Sequence, residues 1–204
     1  YKQYTVCFND TLSEGITFDK LDTVEITNGD GSTPQVINNY TLDPNNPQSS
    51  FKLSIDNVKT CVPDLNKGAT ITVTYTAHLN ENAAVNGSTD NKNKVQLQYS
   101  NNPRNSAYWG FTPESEVCVY TYQLNNTKYH DDDNPNNVLA GAGFRLYSDK
   151  ACTEEQEVKL YKEGAFYYPI KDATDKDAVE MMISGQDGQF NVRGLDAGTY
   201  YLRE

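Results

Sequence analysis

The sequence predicts an all-β chain arranged as two consecutive β-sandwiches. Three observations carry this reading. Apolar and polar residues alternate in Tyr4-Thr5-Val6-Cys7-Phe8, Phe51-Lys52-Leu53-Ser54-Ile55, Ile71-Thr72-Val73-Thr74-Tyr75 and Val95-Gln96-Leu97-Gln98-Tyr99. A period of two marks strands with one buried face. Turn-forming clusters separate these runs: Asn28-Gly29-Asp30-Gly31, Asp43-Pro44-Asn45-Asn46-Pro47, Asn86-Gly87-Ser88 and Asn101-Asn102-Pro103. Frequent turns between short strands fit a sandwich. Finally, 204 residues allow two domains of ordinary size, and the pattern breaks near Thr112-Pro113-Glu114-Ser115-Glu116.

The second half reads in order as a long strand from Val117 to Lys128, a polar stretch from His130 to Asn137, and a strand at Ala142–Tyr147. Asp175 to Ile183 offers the one helix candidate, with Val179, Met182 and Ile183 on one side. The hairpin signal Gly185-Gln186-Asp187-Gly188 precedes Gln189–Val192, and Gly198-Thr199 precedes a terminal strand from Tyr200 to Glu204. Both ends fall inside strand patterns, so the sequence reads as a fragment. Domain one (1–113) lacks its first strand or strands, and domain two (117–204) lacks its last.

Composition narrows the function. Acidic side chains number 28 against 17 basic ones, a net charge of −11. That sign argues against nucleic acid and against anionic lipid as partners. Hydrophobic residues make up 37%, with no run long enough to span a bilayer and no signal peptide in this stretch. Fifteen Tyr, with abundant Asn, suit an extracellular, loop-rich protein.

The four cysteines, Cys7, Cys61, Cys118 and Cys152, form no CxxC pair. They admit three pairings. Cys7–Cys61 with Cys118–Cys152 keeps each bond within one domain; four unpaired thiols are the alternative. No Ser–His–Asp order, HExxH, phosphate loop or nicotinamide fingerprint is present, so a turnover enzyme is not expected. His78 lies in a strand pattern and His130 in a polar loop. Asp131, Asp132 and Asp133 with Asn134 are dense enough for Ca²⁺, yet a solvated loop explains them better, and no metal or cofactor is expected.

Some polar residues share the phase of an apolar strand face. Tyr4, Val6 and Phe8 lead to Asp10 and Leu12. Val95, Leu97 and Tyr99 lead to Asn101. Tyr120, Tyr122 and Leu124 lead through Asn126 to Lys128, and Tyr200 and Leu202 lead to Glu204. Strand ends and bulges give the plain explanation. The set nevertheless comprises acid, amide, amine and acid. Burial raises a carboxyl pKa and lowers an amine pKa. A neutral amine is a nucleophile, and a protonated carboxyl can polarise an Asn carbonyl. Attack and loss of ammonia would leave a Lys–Asn side-chain amide.

These segments resemble a known family. Phe8-Asn9-Asp10-Thr11-Leu12-Ser13-Glu14-Gly15-Ile16-Thr17-Phe18, Ile71–Ala83 and Asn93–Pro103 resemble fimbrial isopeptide-forming domains of Gram-positive pilins. Leu139–Tyr147 and Gly194–Glu204 resemble a SpaA-type (CnaB-like) pilin domain, the last five residues matching the start of its E-box. The resemblance implies two Ig-like sandwiches, CnaA-like then CnaB-like, each with a Lys–Asn isopeptide bond. In the first, Asp10 matches the assisting acid and Asn101 or Asn102 the acceptor, with phase favouring Asn101; its lysine belongs before Tyr1, Lys2 being a poor substitute. In the second, Lys128 matches the nucleophile and Glu204 the assisting acid, with the acceptor after the E-box. Gly143 stands where the family often has Glu, and no LPxTG signal is present.

The implied role is a structural subunit of a cell-wall-anchored, extracellular pilus. Its partners would be other pilin subunits, joined by sortase, and a host surface ligand. The alternative is an adhesin module for host glycan or matrix protein, with Tyr108-Trp109-Gly110-Phe111 as the stacking patch.

Overall fold

A computed structural model describes residues 3–45, 47–62, 64–102, 105, 107–131, 134, 136–170 and 177–204. Lys2, Pro103, Asp132, Asp133 and Asp175 lie outside the described residues. The chain forms two compact units: 1–83 with 89–119, and 84–88 with 120–204.

The first unit contains β1 (Val6–Leu12), β2 (Ile16–Thr27), β3 (Gln35–Val36), β4 (Thr41–Asp43), β5 (Ser50–Ile55), α1 (Val58–Cys61), β6 (Thr70–Leu79), β7 (Lys92–Ser100), β8 (Trp109–Phe111) and β9 (Ser115–Cys118). One sheet runs β4-β5-β1-β7, with β8 and β9 both along the outer edge of β7; the other runs β3-β2-β6. The two sheets close over Val6, Leu12, Phe18, Val24, Ile26, Phe51, Leu53 and Ile55, all buried. Each such side chain contributes about 2 kcal/mol on leaving water.

The loop from β1 into β2 shows why its small residues matter. A Cβ on Gly15 would lie 2.6 Å from the Ala83 backbone, so only glycine permits that approach. Ser13 Oγ accepts from the Lys92 amide at 2.9 Å, tying the loop to the start of β7. Together they fix the Asp10 end of β1 against β7.

The second unit contains β10 (Tyr122–Leu124), β11 (Gly143–Tyr147), β12 (Leu160–Glu163), β13 (Phe166–Pro169), β14 (Met182–Ile183), β15 (Asn191–Leu195) and β16 (Tyr201–Arg203). Its sheets run β10-β15-β13-β12 and β14-β11-β16. Phe144 and Phe190 stack at 4.1 Å between their centroids, with Leu146, Met182, Val192 and Leu195 buried around them.

Three expectations change. The single strand from Val117 to Lys128 is two separate strands, because β9 pairs with β7 and β10 with β15. Met182 and Ile183, assigned to a helix face, pair as β14 with β11, Met182 facing the core. All four cysteines are unpaired. Cys118 ends β9 in the first unit, so pairing it with Cys152 no longer joins residues of one domain. Cys61 instead sets its thiol on the Asn57 carbonyl at 3.6 Å, within the α1 turn.

Candidate functional site

Asp10 sits in mid-strand on the inner face of β1, between Phe51 of β5 and Val95 of β7 in register, and is only 7% exposed. The Tyr75 hydroxyl, reaching across from β6, donates to Asp10 Oδ1 at 3.2 Å. The Asn93 side-chain amide donates in turn to Tyr75 Oη. Phe18 and Phe51 hold the Tyr75 ring, at 5.5 and 5.3 Å, the second edge-on at 89°. Such contacts fix a ring beyond simple area burial.

The electrostatics follow from this packing. Burial pushes the Asp10 carboxyl up to about 6, against the smaller pull of hydrogen bonds from Tyr75 and Asn93. Among the described residues no lysine contributes. Burial also raises the Tyr75 phenol, with the charge and hydrogen bond of Asp10 adding to it.

Asn101 and Asn102 are not in this cluster. Asp10 faces Val95, and Asn101 lies six residues further along, roughly 20 Å at strand rise. Asn101 is exposed and its amide bonds Tyr108 O at 3.0 Å, opening a turn. The residue brought to Asp10 is Asn93, opposite Leu12. It shares the odd phase of Val95, Leu97 and Tyr99, so the alternation does point to it when followed toward the start of the strand.

The second cluster differs. Lys128 lies beyond β10, held by its amide on Gly188 O at 2.9 Å. Its Nζ meets Glu204 Oε2 at 2.7 Å and lies 6.0 Å from the Phe144 ring centre. Glu204 follows β16, and its side chain is 52% exposed against 29% for Lys128. The strand phase placed both in the core; the structure makes them a partly open ion pair, because β16 ends at Arg203 and Leu202 is itself exposed.

Elsewhere, Trp109 and Phe111 point outward from β8, while Gly110 packs against the Tyr99 ring. Among the described residues no three acidic, His or Cys side chains cluster as metal ligands. No described helix is long and apolar enough to cross a membrane.

Residues 1–103 match the family described as Gram-positive pilin backbone subunit 2, Cna-B-like domain, and residues 123–204 match the SpaA prealbumin-like fold domain. The chain belongs to the Gram-positive pilin backbone family. The first unit's match is thus described as Cna-B-like where the motifs suggested CnaA-like.

Solved structures agree on the fold. The group B streptococcus pilus 2b backbone protein is 23% identical with a TM-score of 0.62, covering 98% of this chain and 70% of that one. Domains D2 and D3 of the major pilin SpaD of Corynebacterium diphtheriae are 19% identical with a TM-score of 0.63, covering 97% and 68%. The Streptococcus pneumoniae pilus backbone RrgB is 17% identical with a TM-score of 0.57, covering 98% and 78%. No curated protein sequence matches the chain. Family membership makes the role structural, that of a subunit of an extracellular pilus.

Proposed function

We propose that this pilus subunit strengthens itself with intramolecular Lys–Asn isopeptide bonds, formed once and without an external enzyme. The observation that carries the reading is a buried carboxyl joined through the Tyr75 hydroxyl to an amide side chain. In the first unit Asp10 is the assisting acid and Asn93, in place of Asn101 or Asn102, is the acceptor. The amine comes from a lysine-bearing strand of the same protein added along β6. Among the described residues β6 pairs only with β2, and its inner-phase Ile71, Val73, Tyr75, Ala77 and Leu79 are only half-buried. In the second unit Lys128 is the nucleophile and Glu204 its acid, already in contact at 2.7 Å.

Such bonds would tie strands together under tension and restrict the unfolded chain much as a disulfide does. Sortase links to neighbouring subunits and anchoring to the cell wall complete the role, with adhesion to a host surface as its use. The test is the intact mass of the full-length protein. Each bond removes about 17 Da as ammonia from an amine and an amide. Peptide mapping should place one bond at Asn93 and one at Lys128. A full-length mass equal to that of the sequence would overturn the reading.

The adhesin alternative rests on Tyr108, Trp109 and Phe111, which are 60%, 36% and 54% exposed. Glycan or matrix-protein binding lost in Trp109→Ala would favour it; no binding at all would exclude it.

A further inference from the structure

We infer that Tyr75 is a catalytic residue of the first cross-linking centre, relaying a proton from Asp10 to the ammonia that leaves Asn93. This rests on the isopeptide reading of that centre. Tyr75 Oη touches both ends of the required path: it meets Asp10 Oδ1 at 3.2 Å and accepts from Asn93 Nδ2, the atom that must depart. An amide nitrogen is a poor leaving group until it carries an extra proton, so a group that supplies one at that atom lowers the barrier. The ring is clamped by Phe18 and Phe51, which holds the hydroxyl between its two partners. A tyrosinate is not required, because the burial that raises the phenol favours its neutral, proton-bearing form.

A neutral lysine amine attacks Asn93 Cγ, forming a C–N bond while the carbonyl electron pair moves to Oδ1. Attack makes Asn93 Cγ tetrahedral and frees the Nδ2 lone pair, so the two hydrogen bonds, which run from Tyr75 to Asp10 and from Nδ2 to Tyr75 at rest, reverse: Asp10 passes its proton to Tyr75 Oη as Tyr75 passes its own to Nδ2. The resulting carboxylate takes a proton from the new, positively charged nitrogen. The C=O bond re-forms, the Cγ–Nδ2 bond breaks, and ammonia departs. Asp10 and Tyr75 end as they began, and the amine's proton has travelled to the ammonia.

The experiment follows bond formation in full-length protein made by cell-free synthesis and quenched at intervals, scored by intact mass and by the cross-linked Asn93 peptide. Tyr75→Phe keeps the ring and its clamp but removes the relay. It should slow the Asn93 bond by about 100-fold or more, the range of general acid–base catalysis, while the Lys128 bond forms at its usual rate. Difluorotyrosine at position 75 keeps the hydroxyl and the shape, and should restore the bond with the alkaline limb of its pH–rate profile moved to lower pH. Wild-type rate in Tyr75→Phe, or an unmoved profile with difluorotyrosine, overturns the relay while leaving the isopeptide reading intact. If Tyr75→Phe fails to fold, the difluorotyrosine profile decides alone. A wild-type protein with no bond at Asn93 overturns the isopeptide reading itself, and the relay with it.

Discussion

The two units place their ionisable side chains in opposite ways. In the first, Asp10 is buried, its neighbours are a phenol and an amide, and its carboxyl is pushed up to about 6. In the second, Glu204 is mostly exposed and sits on the Lys128 ammonium. Burial keeps the proton on an acid to higher pH. The first cluster holds acid and amide, the second amine and acid. What separates them is cover: both sheets close over Asp10, whereas β16 leaves Leu202 and Glu204 open.

In chain that carries no isopeptide bond, to which this and the following stability tests apply, the widest gap between the units should appear on truncation. Tyr75→Ala removes a clamped aromatic from the first core and should cost about 3 kcal/mol or more. Lys128→Ala in the second should cost under about 1 kcal/mol. Urea unfolding of each variant measures both, and equal costs would break the contrast.

A second test uses pH. The folded pKa of Asp10 lies above its ordinary 3.8, near 6. Below about pH 3 both folded and unfolded chains hold the proton, and the group is neutral to stability. As pH rises toward 6 the unfolded chain ionises first, so stability is lost across that window and stays lost above it. Asp10→Asn should therefore stabilise the chain at pH 7 by about 1–2 kcal/mol, less than the shift alone would convert to because nearby solvent screens the charge. The gain should shrink by pH 4 and vanish by about pH 3. A variant that is destabilised at pH 7 and unchanged by pH would refute the buried-acid account.

Smaller again, Glu204→Gln should cost under about 1 kcal/mol at low salt and nothing measurable at 1 M salt, the behaviour of an open ion pair. Smallest is the response to reductant. With all four thiols unpaired, denatured but unreduced protein should take up four alkyl groups, and reductant should leave the melting temperature unchanged. Fewer than four would reinstate a disulfide.

Much of the fold was readable from alternation and turn residues, because a half-buried sheet writes its period directly into the sequence. The phase of β1 located Asp10 for the same reason. Asn93 escaped because the phase of β7 was followed toward its turn rather than back toward its start. Only register decides which end lies beside Asp10, and register depends on pairing partners far away in sequence. Tyr75 gave no local signal at all: its period marks it as one core aromatic among several, and its hydroxyl gains meaning only from β1 and β7 across the sandwich. The Cys118–Cys152 expectation failed on a similar point, since β9 looks continuous with β10 until its pairing with β7 is known. Glu204 shows the converse error, where correct phase near a strand end did not bring burial.

The most direct check is the ionisation of Asp10, followed through its carboxyl carbon by NMR in selectively labelled protein, with Asp10→Asn to assign the signal. A midpoint near 6 is predicted. A midpoint at or below the ordinary 3.8 would mean that burial does not hold the proton on Asp10 to higher pH, and would contradict the account.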